Sequence, residues 1–515
     1  MSTSAESDVV EASGPVRKRP EPAAGEDVQA PAGPRDWAVR LVWLWPALVT
    51  LGLGVRGSAR PELWRDELAT WSAATRSTGQ LWAMLHHVDA VSGTYYLFMH
   101  GWISVFGDSP TMFRLPSALA MAGAAACVVL AARKLFDTRT ALAAGLLFAI
   151  FPSISRYAQE GRAYAFAVLA VAAATWLLLR AVERPGSVLR WLPYTVSVMA
   201  AGLFHMVTLT VLASHALIVL LRWRRERRRA LLIGFPVAVL VALLPMVPLV
   251  IVGRRQVGRQ ISWLHSPTLQ DFVTTWHGMF GSALVSLCVL VLCALPVAWP
   301  RSRRRAVEIG LVAALPVLAV WVVSQGSTSY FLDRYLLFTV PAWAVLAGAG
   351  LTSLRPRPLI AVGLIGTALL GLQDQQALRT RTSHEWADER GAARIIAKGY
   401  HTGDGIVPVR GDQAYMMLDF AMAYYLPRDV HPKDVFAEKT PVQNNDLYSV
   451  TCPDADSCAG GTDRLWVVTY GDQSDPLKGL PADEVKVLTS EFDQEQVKHV
   501  QGITVSLLER TKAAG

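Results

Sequence analysis

The chain has 515 residues, of which 52% are hydrophobic and only 17% are charged. Soluble domains carry about 25% charged residues, so this composition predicts a membrane protein. The net charge of +8 comes from basic residues that form short clusters between apolar runs, a pattern that argues against nucleic-acid binding. Five cysteines in so long a chain exclude a disulfide-rich scaffold. The Cys and His residues nowhere have the spacing of a structural zinc site.

Residues 1–36 are rich in Ala, Pro, Glu, Ser and Gly and contain almost no large apolar side chains. Such a segment buries too little surface to offset the entropy lost on ordering, so we predict a disordered cytoplasmic tail. The segment is long and acidic, whereas a secretory signal peptide begins with a short basic stretch and ends at a small-residue cleavage site. The first apolar run is therefore expected to stay attached as a membrane span.

Apolar runs long enough to cross about 30 Å of hydrocarbon as helices predict a polytopic helical bundle over residues 37–376. The eleven predicted spans are 38–56, 113–133, 140–157, 163–182, 191–206, 207–222, 230–252, 283–300, 306–324, 336–353 and 359–376. The stretch 191–222 also fits one long helix with a shorter neighbour, which would change the side of every later loop.

The distribution of Lys and Arg predicts the orientation of these spans. With eleven spans and a cytoplasmic amino terminus, the inside segments contain 23 Lys and Arg, against 11 in the outside segments before residue 377. This bias follows the positive-inside rule. The odd number of spans then places residues 377–515 on the extracytoplasmic side.

Residues 377–515 differ in character from the bundle, because they hold seven of the nine lysines and both asparagines. A helix is predicted from Trp386 to about Lys398. Short apolar or alternating runs predict strands at 406–409, 465–470 and 503–508. Together these elements predict a small extracytoplasmic α/β domain.

The cysteines divide in agreement with this topology. Cys452 and Cys458 lie six residues apart in a polar loop, where an extracytoplasmic location would allow them to form a disulfide. Cys127, Cys288 and Cys293 lie in predicted spans and are expected to be packing residues.

The first extracytoplasmic loop, residues 57–112, contains ionisable groups that a plain helical bundle does not need. Asp66 and Glu67 are adjacent, and an aromatic interfacial helix follows and ends at Phe106. A carboxylate in a partly desolvated loop can have a raised pKa and act as a general base toward a hydroxyl. The alternative is a pair of solvated charges beside an interfacial belt of Trp and Tyr.

The same loop holds His86, His87 and Asp89, which fit the ligands of a divalent metal. A surface histidine that satisfies its own hydrogen bonds is the more common outcome for such residues.

Two other outer segments carry arginines beside aromatic residues. Arg156 and Arg162 lie six residues apart between two long apolar helices, and Arg334 lies beside tyrosines at the head of the tenth span. Guanidinium groups in these places can bind a phosphate through charge-assisted hydrogen bonds. In the simpler alternative, Arg156, Glu160 and Arg162 only pair with one another and close the hairpin.

Taken in order, these segments resemble a known family. The motifs are Asp66-Glu67, Tyr95-Tyr96-Leu97 in a helix that ends in Phe106-Gly-Asp-Ser109, Arg114-Leu-Pro-Ser-Ala118, Tyr157-Ala-Gln-Glu-Gly-Arg162 and Asp333-Arg334-Tyr335. Their order resembles the lipid-linked-sugar glycosyltransferases of the GT-C fold, in the bacterial branch related to protein O-mannosyltransferases and aminoarabinose transferases. The resemblance covers about residues 40–376.

The resemblance implies transfer of a sugar, mannose or arabinose-like, from polyprenyl phosphate to a hydroxyl of a glycan, lipid or protein acceptor, with inversion. It implies that Asp66 is the general base, with Glu67 as its neighbour or substitute, and that Arg156, Arg162 and Arg334 stabilise the departing phosphate. The other candidate substrate contacts are Arg65, His87, Asp89, Tyr95, Tyr96, Tyr157, Glu160 and Tyr335. The one cofactor that these residues would allow is a divalent metal.

Two other classes of protein fit a chain with many spans. A transporter or flippase would be expected to show repeat symmetry and helices broken at the membrane midplane, and no clear internal repeat is present in the sequence. A non-catalytic scaffold for cell-wall assembly would use the outer domain for binding and would not need Asp66. Mutation of Asp66 therefore separates the enzyme from the alternatives.

Overall fold

The computed structural model describes residues 41–511, so the predicted tail 1–36 lies outside the described residues. The described chain is mainly helical and ends in a small sheet-containing region, which confirms the predicted fold class. Within residues 41–511, five helices are long and apolar enough to cross a membrane, and three bent helix pairs meet the same test when each pair is one span. The protein is therefore a multi-pass membrane protein.

The helices of the bundle and its loops are α1 (Leu44–Val55), α2 (Arg65–Ala74), α3 (Thr78–His87), α4 (Gly93–Phe106), α5 (Pro110–Leu135), α6 (Thr138–Ile150), α7 (Pro152–Ala158), α8 (Tyr164–Ala181), α9 (Val188–Phe204), α10 (Val211–Glu226), α11 (Ala230–Leu243), α12 (Met246–Gln260), α13 (Leu269–Phe280), α14 (Ala283–Ala298), α15 (Pro300–Val323), α16 (Asp333–Leu336), α17 (Val340–Ser353), α18 (Leu359–Leu370) and α19 (Leu372–Ala377).

A helix occupies part or all of each predicted span, while the count of eleven stays a prediction. The stretch 191–222 forms two helices, α9 and α10, which are separated by a 3₁₀ turn over Met206–Thr210. The loop helix α4 ends at Phe106 as predicted, and Gly107 follows it with a φ of 76°, a conformation that glycine adopts without strain.

Two predicted spans are not straight helices, which corrects the sequence analysis. The span 140–157 bends by 63° between α6 and α7, and the span 230–252 bends by 52° between α11 and α12. Both bends coincide with prolines, Pro152 and Pro245, because proline lacks a backbone N–H and its ring clashes with the preceding turn. Helix α13 was not predicted; it meets α14 at 97°.

The centre of the bundle is formed by α17, whose residues 340–351 are all buried. Small residues allow neighbouring helices to approach it closely. A Cβ atom added at Gly348 would lie 2.7 Å from both the backbone N and the Cβ of Ala144 on α6. Small residues at such contacts are typical of helix packing in membranes, where close approach increases van der Waals contact.

The C-terminal region contains a five-stranded sheet. Its elements are α20 (Glu389–Gly399), β1 (Gly405–Pro408), α21 (Leu418–Tyr425), β2 (Lys433–Asp434), β3 (Ala437–Lys439), β4 (Val450–Thr451), α22 (Ala455–Ala459), β5 (Arg464–Tyr470), α23 (Ala482–Glu491), β6 (Phe492–Val500) and β7 (Ile503–Arg510). The strand order is β2-β1-β5-β7-β6, with β1 parallel to β2 and β5, and β7 antiparallel to β5 and β6. Strands β3 and β4 form a separate antiparallel pair.

The three predicted strands of this region correspond to β1, β5 and β7. Helix α20 begins three residues later than predicted, because the side chain of Asp388 accepts a hydrogen bond from the backbone N–H of Gly391 and caps it there. Cys452 and Cys458 form a disulfide, as their spacing predicted.

The C-terminal region and the first loop share one hydrophobic core. The backbone N–H of Leu63 donates to the hydroxyl of Tyr425 at 2.7 Å, and Arg76 donates to the carbonyl of Asp446 at 2.6 Å. The ring of Trp71 packs edge-on against Tyr424. These contacts place the first loop and the C-terminal region on the same side of the bundle, which agrees with the predicted topology.

We expect that side to be extracytoplasmic, because the bias of 23 to 11 Lys and Arg puts the opposite ends of the helices inside. Alkaline phosphatase fused after Gly515 is therefore expected to be active. Green fluorescent protein at the same place serves as the matched cytoplasmic reporter. A fluorescent fusion without phosphatase activity would contradict the orientation.

Candidate active site

A cavity of about 970 Å³ lies between the first loop, the outer ends of several helices and the C-terminal region. Its ionisable lining residues include Asp66, Asp89, Arg162 and Arg334. Three segments that were separate in the sequence analysis therefore meet at one place. Much of the remaining wall is apolar, and its valines are Val88, Val91, Val207, Val250, Val257, Val320 and Val323.

Asp66 lies in the first turn of α2, near the positive end of the helix dipole, and its side chain is partly exposed to the cavity. Its nearest cation is Arg334, with 3.9 Å between Oδ2 and Nη2. Arg334 lies at the start of α16, and its guanidinium lies against the rings of Trp64, Trp263 and Tyr335. The long contact leaves both charged groups available to a ligand.

Arg162 is held by groups of the first loop. Its Nη1 donates to the carbonyl oxygen of Asp66 at 3.2 Å, to Oγ1 of Thr70 at 3.2 Å and to the hydroxyl of Tyr96 at 3.3 Å. Tyr96 in turn donates to Oδ2 of Asp89. This chain of hydrogen bonds fixes the guanidinium of Arg162 at the cavity wall.

Asp89 is the acceptor at the end of that chain. It also accepts hydrogen bonds from Ser92 at 2.9 Å and from Gln260 of α12 at 3.3 Å. Burial raises the pKa of the Asp89 carboxyl, although Arg162 and the hydrogen bonds from Tyr96 and Ser92 oppose that shift. Asp89 has a φ of 55°, in the left-handed region, which Asp adopts more readily than most residues.

Glu67 does not line the cavity. Its carboxylate is fully buried and accepts two hydrogen bonds from Arg114, at 2.8 and 2.6 Å, and one from the backbone N–H of Gly161 at 2.7 Å. Arg114 also donates to the carbonyls of Ser58, Pro61 and Glu62. Burial alone would raise the pKa of Glu67, but Arg114 outweighs it and lowers that pKa to about 2.

Adjacent residues of a helix point about 100° apart, so Asp66 and Glu67 face different surroundings. The sequence alone does not show which of the two faces the cavity. In α2 this geometry directs Asp66 to the cavity and Glu67 into the core.

The segment 156–160 also lies behind the cavity wall. Arg156 donates to Glu160 at 2.7 Å and to the carbonyl of Ser383 at 2.9 Å, so it joins the turn after α7 to the C-terminal region. Burial raises the pKa of Glu160 to about 7, against the opposing charge of Arg156. Tyr157 is buried and packs edge-on against Tyr164. The structure therefore pairs Arg156 with Glu160 and separates both from Arg162.

The three metal-ligand candidates are not brought together. His86 and His87 are exposed, and Nδ1 of His86 contacts the carbonyl of Trp82, whereas Asp89 lines the cavity. In the part of the chain that the structure describes, no three His, Cys, Asp or Glu side chains form a group that could hold a metal ion.

Three other predicted contacts do line the cavity: Arg65, Tyr95 and Tyr335. Arg65 donates to the sulfur of Met416 and lies over the ring of Tyr415. Tyr95 is buried, and its hydroxyl has no hydrogen-bond partner among the described residues.

A further group of residues completes the site, and none of them was predicted from the sequence. The glutamine pair Gln256 and Gln260 fastens α12 to the first loop, since Gln256 accepts from the N–H of Ala90 and donates to the carbonyl of Leu85. Their spacing of four residues on one helix face was a signal that could have been read. Tyr415 and Tyr448 of the C-terminal region also line the cavity, and nothing in their local sequence indicates this.

The fold and the cavity define a membrane protein with a largely apolar pocket whose wall carries two carboxylates and four arginines. A family model described as dolichyl-phosphate-mannose-protein mannosyltransferase matches residues 94–252. This match covers the segment from α4 into α12, which carries Tyr95, Tyr96 and Arg162. No curated protein sequence matches the chain significantly.

Solved structures extend the similarity over the whole fold. ArnT from Cupriavidus metallidurans in the apo state has a TM-score of 0.61 at 17% identity, over 92% of this chain and 98% of that chain. ArnT bound to undecaprenyl phosphate has a TM-score of 0.61 at 16% identity, with the same coverage. The Archaeoglobus fulgidus oligosaccharyltransferase with zinc and sulfate has a TM-score of 0.46 at 12% identity, over 90% and 72% of the two chains. The fold is that of ArnT, and the predicted resemblance to GT-C glycosyltransferases is confirmed.

Proposed function

We propose that the protein is a polyprenyl-phosphate-dependent glycosyltransferase that transfers a mannose or arabinose-like sugar to an extracytoplasmic acceptor hydroxyl. The observation that carries this proposal is the meeting of Asp66, Arg162 and Arg334 at the wall of one cavity. The similarity to ArnT supports it, because that protein has been solved with undecaprenyl phosphate. The description of the matching family model names a related lipid-linked donor.

The reaction needs a base and a group that stabilises the leaving phosphate. The carboxylate of Asp66 takes the proton of the acceptor hydroxyl, and the oxygen forms a bond to the anomeric carbon of the sugar. The bond from that carbon to the phosphate oxygen breaks, and polyprenyl phosphate leaves with an additional negative charge. Attack from the face opposite the leaving group inverts the anomeric configuration.

Arg162 and Arg334 are suited to the charge that develops on the phosphate. Both are fixed before a ligand arrives, Arg162 by hydrogen bonds and Arg334 by aromatic rings, so little reorganisation is needed during the reaction. The valines of the wall provide an apolar surface for the first isoprene units of the lipid.

The remaining predicted residues have supporting roles in this proposal. Asp89 and Tyr96 orient Arg162, while Arg156, Glu160 and Tyr157 hold the turn from which Arg162 projects. Glu67 stabilises the fold beneath Asp66. The proposal does not require His86 or His87.

The test is transfer from a polyprenyl-phosphate sugar to an acceptor glycan by purified protein in nanodiscs. Arg162→Ala is expected to lower kcat/KM about 10- to 150-fold, since a hydrogen bond to a charged group contributes ~1.5–3 kcal/mol. Both KM and kcat should change, because the same guanidinium contacts the donor phosphate and the leaving group.

Two further variants make this result specific. Arg162→Lys keeps the charge and should recover part of the rate, whereas Arg255→Ala removes an exposed arginine that does not line the cavity and should leave the rate unchanged. Equal rates for wild type and Arg162→Ala would remove this arginine from the proposed phosphate site. Failure of the wild type to use any polyprenyl-phosphate sugar would count against the proposed function itself.

A further inference from the structure

A second cavity, of about 380 Å³, lies at the opposite ends of the helices from the candidate active site. Four basic residues line it: Lys134 at the end of α5, Arg222 near the end of α10, and Arg304 and Arg305 in the first turns of α15. Its other lining residues are Leu135, Leu179, Glu183 and Glu308. One water molecule needs a cavity of roughly 10–15 Å³. This cavity is much larger, so it has room for a ligand.

The charge of this cavity is not balanced by its own carboxylates. Glu308 is almost fully buried and contacts Arg222 at 2.7 Å, Arg304 at 3.4 Å and Arg225 at 3.8 Å. One carboxylate is therefore shared by three guanidinium groups.

The second carboxylate, Glu183, contacts Lys134 at 2.5 Å and Arg190 at 3.8 Å. Arg305 belongs to none of the ion pairs found between described residues. The four basic and two acidic lining residues leave a surplus of two positive charges, which an anion would neutralise.

One of these guanidinium groups also has an unused donor. Nε of Arg222 is buried and has no hydrogen-bond partner among the described residues. A buried donor without a partner is unfavourable, and a guanidinium presents its donors in a fork that matches two oxygens of one phosphate. The unmet donor and the surplus charge both fit a phosphate group.

The position of the cavity indicates where that phosphate comes from. It lies at the ends of membrane helices, on the side that the Lys and Arg distribution predicts to be cytoplasmic, and the buried Leu135 and Leu179 contribute apolar wall. Basic pockets between helices on this side of a membrane suit anionic lipid headgroups. We propose that this cavity binds the phosphate of an anionic phospholipid from the cytoplasmic leaflet.

Native mass spectrometry of the detergent-purified full chain tests this binding. The probes are phosphatidylglycerol, phosphatidylcholine with the same acyl chains, and inorganic phosphate. The wild type is expected to retain phosphatidylglycerol in preference to phosphatidylcholine. Arg304→Gln with Arg305→Gln should raise the Kd for phosphatidylglycerol roughly 10- to 30-fold, from the loss of two basic residues near a lipid surface.

The matched control is Arg224→Gln with Arg303→Gln, which removes two exposed arginines on the same side that do not line the cavity. Arg305→Gln alone, without an ion pair to lose, keeps the test valid if the double variant does not fold. Equal lipid affinities for the two double variants, or equal retention of the two lipids by the wild type, would overturn the proposal. Retention of inorganic phosphate but no lipid would overturn the lipid source and support a site for soluble phosphate.

Discussion

Asp66→Asn is expected to lower the rate of sugar transfer ~10²- to 10⁴-fold, the usual effect of removing a general base. The substitution keeps the shape of the side chain but removes its negative charge and its ability to accept a proton. Because Asp66 is partly exposed and its one ion pair is long, at 3.9 Å, the variant should remain folded and inserted. The measurement is kcat for transfer from a polyprenyl-phosphate sugar in nanodiscs, beside thermal stability in the same preparation.

The control for this variant is Asp472→Asn, which changes an exposed carboxylate of the C-terminal region outside the cavity. It should transfer sugar at the wild-type rate. The carboxylate that competes with Asp66 for the catalytic role is Asp89, which also lines the cavity. An active Asp66→Asn protein beside an inactive Asp89→Asn protein would move the proposed base to Asp89.

A transporter or scaffold gives a different result in the same experiment. Neither needs a base, so a protein of either class would show no transfer in the wild type and no specific dependence on Asp66. Sugar transfer that is lost in Asp66→Asn and retained in Asp472→Asn therefore supports the enzyme against both alternatives.

The bundle could be predicted from the sequence because its signal is physical and local. A long apolar run has few structures other than a helix once its backbone must satisfy its own hydrogen bonds in lipid. The bends at Pro152 and Pro245 could have been predicted as well, since proline inside an apolar run is a known cause of kinks. Helix α13 was harder to predict, because it precedes the predicted span 283–300 and meets the helix of that span, α14, at 97°.

The candidate site was only partly predictable, because its residues are separated by hundreds of positions. The motif order grouped Asp66 with Arg156, Arg162 and Arg334, and the cavity wall contains Asp66, Arg162 and Arg334 but not Arg156. The partners of these residues depend on tertiary packing. Arg114 is an example. Its contacts with Glu67 and three backbone carbonyls cannot be inferred from its position at the head of a predicted span.

Glu67→Gln is expected to destabilise the protein by ~3–5 kcal/mol, the usual effect of breaking a buried ion pair from one side. The glutamine keeps one oxygen that can accept from Arg114 but carries no charge, so the buried guanidinium of Arg114 loses its compensating carboxylate. Arg114→Met in the same chain should recover part of the loss, because it removes the uncompensated charge. Thermal unfolding of the detergent-purified variants gives the comparison, with the exposed Glu495→Gln as control.

The pH dependence of this effect has a defined sign. The pKa of Glu67 is about 2 in the folded protein, below its ordinary value of 4.5, so its carboxylate stabilises the fold fully above pH 4.5. That contribution is lost as the pH falls from 4.5 through about 2. The difference in stability between wild type and Glu67→Gln should therefore shrink over this interval and be constant above it. A Glu67→Gln protein as stable as wild type but unable to transfer sugar would instead give Glu67 the chemical role that its neighbour has in the proposal.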